Sequence, residues 1–149
     1  MTISRRQARE WAVQMLSSAD INPPEDVQLF ISEFWSQLPT LDNSEGGLDG
    51  RVPRGKMKIF AEERVAGVLK DLLDIDQTLK ELLEHWDLYR LGTVERSVLR
   101  LGIWEIRCTD VPPGVIINEA IDLVNWFSSP KSRMLINGVL DKYAKQLGK

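Results

Sequence analysis

Reactive side chains are scarce in this sequence: it holds one cysteine, Cys108, and one histidine, His85. A lone cysteine excludes an intramolecular disulfide and fits a reducing, cytoplasmic setting. No apolar run is long enough to span a bilayer, and the amino terminus lacks a signal-peptide pattern, so no membrane association is expected. Metal-ligand spacing, a phosphate-binding glycine loop and a nucleophile elbow are all missing. A Cys–His pair without a local signature is weak ground for nucleophilic catalysis. The plainer readings are His85 as a cation near a helix end and Cys108 as a small apolar filler. The sequence therefore reads as a protein that is not an enzyme and needs no cofactor or metal.

What is present is helical patterning. With 149 residues, 43% of them apolar, the chain can build a core for one domain. Ala8, Trp11, Ala12, Met15, Leu16 and Ala19 recur at helical spacing, as do Val27, Phe30, Ile31, Phe34, Trp35 and Leu38. Asn22 or the Pro23-Pro24 pair marks the start of that second helix, and Pro39 its end. Further stripes run through Phe60 to Leu72, Ile75 to Trp86, Val94 to Ile106, and Ile117 to Val124. The last runs from Ile136 to Tyr143, with Ser129-Pro130 reading as N-cap and first-turn proline. Two-residue alternation is missing, so strands are not expected. The expected fold is all-α, with about seven helices. Four of the ten glycines fall between residues 39 and 57, which predicts a flexible loop inside one domain spanning residues 1–149. Arg51, Arg54, Lys56 and Lys58 make the end of that loop basic.

Net charge is only −3, but its distribution is uneven. Residues 1–19 hold three arginines against one acid, residues 20–127 eleven basic against twenty acidic, and residues 128–149 five against one. Arg5, Arg6 and Arg9 stand in the first turns of a helix, where the dipole favours acids. Helical geometry places Arg5 and Arg9 about 40° apart with Arg6 beside them, as one ridge along the apolar stripe. The ridge reads either as solvated charge, with Arg6 or Arg9 pairing with Glu10, or as a dock for a polyanion whose phosphates guanidinium forks can grip. Trp11, Trp35 and Trp86 fall on apolar stripes and are expected in the core; Trp104 and Trp126 fit theirs less well, and of the five Trp126 is the nearest to an exposed aromatic, with burial still its expected state.

Four stretches carry a resemblance to a known family. They are RRQAREWAVQML at 5–16, LGTVERSVLRLGIWEI at 91–106, VPPGVIINEAIDLV at 111–124 and SRMLINGVLDKYAK at 132–145. In order and spacing they resemble the NusB family of bacterial transcription-antitermination factors across essentially the whole chain. The resemblance implies an all-helical fold of two small packed bundles. It also implies binding of boxA-type RNA jointly with NusE, a small-subunit ribosomal protein. The RNA polymerase antitermination complex then reads through terminators in ribosomal RNA operons. Carried over residue by residue, it assigns RNA contacts to Arg5, Arg6 and Arg9, and to Lys131, Ser132 and Arg133 at the start of the last helix. Glu95 falls at a position used to bind NusE. The chain departs from the family pattern at Lys131, Met134 and Leu135, where an acid, a lysine and a phenylalanine are usual. It also has Ser17 in place of a tyrosine that helps bind NusE, and the glycine-rich insert is atypical. Asn118 and Asn137 are expected as buried hydrogen-bonding groups, and Gly138 as a close approach between helices. Two other readings compete: the RNA-binding module of an RNA methyltransferase, which requires this chain to be a fragment, and a homodimeric protein-interaction module whose ridge meets its own partner.

Overall fold

The computed structural model describes residues 4–38, 55–125 and 128–149. Seven α-helices account for nearly all of them: α1 (Arg5–Ile21), α2 (Val27–Gln37), α3 (Lys56–Lys70), α4 (Leu72–Leu82), α5 (Thr93–Cys108), α6 (Pro113–Val124) and α7 (Pro130–Gln146). A short 3-10 turn, Leu88–Arg90, precedes α5, and no strand occurs among the described residues. The all-α expectation is met. Most of the predicted loop, with Arg51 and Arg54, lies outside the described residues, as do Trp126 and Phe127.

The helices form two compact units, Met1–Ala66 and Gly67–Lys149, so the division falls within α3 and not at the glycine-rich segment. In the first unit, α1 buries Ala8, Trp11, Ala12, Met15, Leu16 and Ala19, the stripe expected from its spacing. Ser4 caps it by accepting a hydrogen bond from the Gln7 amide at 3.1 Å. α2 begins later than the prolines suggested. Its cap is Asp26, whose carboxylate accepts from the Leu29 amide at 3.0 Å, satisfying an N–H that the prolines leave open. Trp11 and Trp35 meet edge to face, ring centroids 5.7 Å apart. The Trp35 indole N–H donates to Glu62 at 2.8 Å, which ties α2 to the first half of α3.

The second unit is built around α5. Ten of its sixteen residues are buried, on every side of the helix, because α4, α6 and α7 all pack against it. Two glycines permit close approach. A Cβ on Gly67 would collide with the Trp104 indole, and one on Gly102 would lie 2.8 Å from Leu140 Cδ2. Gly138, expected to be such a position, faces open space. Burying α5 all round also buries its charges. The Arg100 guanidinium is 4% exposed and forks onto Asp76 of α4, with Nε to Oδ1 at 2.8 Å and Nη2 to Oδ2 at 2.9 Å. Buried Arg96 donates to the carbonyls of Leu88 (3.2 Å) and Leu91 (2.7 Å), closing the 3-10 turn onto α5. Arg107 donates to Tyr143 Oη at 2.8 Å, to Thr78 at 3.1 Å and to Asp74, joining α5 to α7 and α4. Burial works against its charge, but Tyr143 and Asp74 outweigh burial and hold its pKa above the ordinary value.

Candidate nucleic-acid interface

The expected arginine ridge is divided by exposure. Arg5 and Arg6 are exposed in the first turn of α1. Arg9, one turn later, is only 3% exposed, and its guanidinium lies 5.1 Å from the centre of the Phe60 ring. Arg64 covers the same ring at 3.4 Å and donates to the Phe60 carbonyl at 3.3 Å. A helical wheel places Arg9 beside the apolar stripe but carries no information about α3. Phe60 extends the core to that edge and captures the guanidinium by its ring quadrupole. The exposed cations of this face are therefore Arg5 and Arg6, at the positive end of the α1 dipole.

The second group of candidates sits at the start of α7. Ser129 caps the helix, accepting from the Ser132 amide at 3.1 Å, and Pro130 follows at the first helical position, as the sequence indicated. Lys131 is exposed, and Ser132 and Arg133 are half-buried. Arg133 donates to the Ser128 carbonyl at 2.7 Å, so it fixes the entry to α7 while keeping its charge there. Two cations at a helix amino terminus give an anion-attracting end, dipole and side chains acting together. Beside it, Asn118 and Asn137 are both exposed rather than buried, because the pair lines an open groove between α6 and α7 with Met134.

Glu95 lies in the first turn of α5, half-buried. Its carboxylate occupies the space a side chain on Gly92 would need, so the glycine at the N-cap lets Glu95 fold back over the helix start. Ser17, on α1, is half-buried. His85 is exposed beyond the last residue of α4. Cys108 is also exposed rather than a buried filler, being the last residue of α5. Partial burial and then Asp71 push its thiol pKa up, against the opposing pull of Arg107 and Lys149, which lowers the thiolate fraction a nucleophile requires.

Sequence reasoning missed one residue of this surface. Trp86, expected in the core, is 41% exposed, because α4 ends at Leu82 and its stripe stops short of the tryptophan. Lys131 Nζ stands 5.1 Å from the centre of its ring. The signal available in the sequence was the helix end, not the spacing.

A profile described as the NusB family matches residues 6–145. The chain belongs to the NusB family. It is 36% identical over 144 residues to the transcription antitermination protein NusB of Nitratiruptor sp., covering 97% of this chain and 94% of that protein. It is 34% identical over 147 residues to the protein of the same name from Sorangium cellulosum, covering 98% and 95%. Among solved structures, NusB of T. maritima superposes with a TM-score of 0.78 at 30% identity, over 98% of this chain and 94% of that one. A crystal structure of antitermination factors NusB and NusE with double-stranded RNA matches with a TM-score of 0.72 at 26% identity, over 95% and 96%. The NusB fold of this chain thus follows from sequence and structure alike. Among the described residues no helix is long and apolar enough to cross a membrane.

Proposed function

We propose that this chain is a non-catalytic, cytoplasmic transcription antitermination factor. It binds boxA-type RNA together with NusE and so promotes read-through by the RNA polymerase antitermination complex in ribosomal RNA operons. The observation that carries this reading is the near full-length match to proteins named for antitermination, together with the structural match of this chain to a NusB–NusE complex with RNA. The two helical units act as one RNA-binding domain over residues 1–149. Arg5 and Arg6 take phosphates at the start of α1, and Lys131, Ser132 and Arg133 do so at the start of α7. Arg9, buried against Phe60, serves the packing of α1 on α3 rather than a phosphate contact. Glu95 serves the contact with NusE, an acid held at a helix start by its fold-back over Gly92. The reported relatives are named as antitermination proteins and not as methyltransferases, which favours this reading over a methyltransferase module.

The test is a titration of boxA RNA, with and without NusE, at several salt concentrations. Each phosphate contact removed should reduce the slope of log K against log salt by about 0.7 for a single strand. Arg5→Ala and Arg6→Ala are expected to show that loss, and Arg9→Ala to lower thermal stability with a smaller change in slope. An Arg5→Ala/Arg6→Ala/Lys131→Ala/Arg133→Ala variant that bound with unchanged slope would sink the proposal. Light scattering checks the homodimer alternative, which predicts a dimer unaffected by RNA.

A further inference from the structure

Trp86 and Lys131 form a pair that no part of the helical core requires. The indole is the largest apolar side chain in the connection between α4 and α5, and it remains 41% exposed. Its backbone is fixed by a turn in which the Trp86 amide donates to the Leu83 carbonyl at 2.6 Å. Lys131 Nζ lies 5.1 Å from the ring centre. The acids beside the ring are occupied elsewhere: Glu84 accepts from Lys142 at 2.8 Å, and Asp87 accepts from the Tyr89 amide at 2.9 Å and faces Arg90 at 3.9 Å. Lys131 makes no ion pair among the described residues, and its charge adds to the amino-terminal dipole of α7.

An exposed π-face next to an unneutralised cation matches a nucleotide, which presents a flat base and an anion one sugar apart. We propose that Trp86 and Lys131 form a stacking site for one unpaired base of bound RNA. The ammonium covers the ring in the free protein and moves onto the adjoining phosphate when the base stacks on the indole. The inference rests on the RNA-binding reading above and adds to it a contact that is insensitive to charge screening. Stacking on an aromatic face is sequence-tolerant, so the site strengthens binding at one nucleotide without selecting its identity.

The experiment compares Trp86→Phe and Trp86→Leu in the full chain, titrated with fluorescein-labelled single-stranded boxA RNA at three salt concentrations. Phenylalanine keeps a π-face and leucine keeps only apolar volume, so thermal melts confirm that both variants fold before binding is compared. The leucine variant is expected to bind about tenfold more weakly than wild type with an unchanged salt slope, and the phenylalanine variant within about twofold. Lys131→Ala should instead reduce the slope by about 0.7. Equal affinities for the leucine and phenylalanine variants would overturn the stacking site while leaving RNA binding intact. So would a Trp86→Leu defect confined to NusE binding. Wild-type protein that bound no RNA would overturn the function and this inference together.

Discussion

Helices within each unit are joined by different contacts, and arginine shows the difference best. In the first unit, Arg9 and Arg64 pack on the face of Phe60, and the Trp35 indole N–H donates to Glu62 across helices. In the second, arginines act as forks: Arg100 on Asp76, Arg96 on two carbonyls, Arg107 on three side chains from two helices. Among the described residues four arginines are buried, Arg9, Arg64, Arg96 and Arg100. A count of arginines says little about a surface for phosphate; exposure separates them, and Arg5 and Arg6 are exposed where Arg9 is not.

The comparison breaks most severely at the buried fork. Asp76→Ala removes the carboxylate onto which buried Arg100 forks and should cost about 3–5 kcal/mol, read by chemical denaturation. Replacing both residues with leucine should cost far less, since desolvation of the pair offsets most of its attraction. Next comes packing: Gly67→Ala should destabilise by about 1–3 kcal/mol despite the better helix propensity of alanine, because the methyl group meets the Trp104 indole. In the first unit, Trp35→Phe keeps a six-membered aromatic ring but removes the N–H that Glu62 accepts and some buried volume, and a loss of about 1–2 kcal/mol is expected in the same denaturation series. A loss equal to that of Asp76→Ala would erase the distinction between the units. Gly138→Ala should move the other way, gaining about 0.5–1 kcal/mol, because its Cβ meets nothing.

The smallest effect concerns pH. The hydrogen bond from Lys142, and then its charge, hold the Glu84 carboxylate below its ordinary pKa. A depressed folded-state pKa stabilises above the unfolded value and is lost as pH falls through the folded one. Glu84 is fully exposed, so the change should show in NMR titration of its side chain and not in a melting temperature. Lys142→Ala should move that titration upward.

Periodicity made the helices legible, since an apolar stripe needs only local spacing, and Ser129-Pro130 announced α7 by a local cap. What failed depended on neighbours. Trp86 continues the α4 stripe in a wheel diagram, but the helix stops four residues earlier, at Leu82. Gly138 and Gly67 look alike in sequence; the position of Trp104 makes Gly67 the contact. Arg9 was legible as one member of a ridge but not as a residue under an aromatic ring from another helix. At the candidate site, the cap and first-turn proline of α7 were legible, whereas the exposure of Trp86 was not, because its stripe runs on past the helix end.

Gly92 and Glu95 carry a consequence for how such a chain can vary. The carboxylate fills the volume that any side chain at 92 would claim, so substitution at 92 expels the acid from the helix start without altering its charge. A side chain at 92 therefore acts one helical turn away: it turns the Glu95 carboxylate outward and changes where the helix start presents its acid.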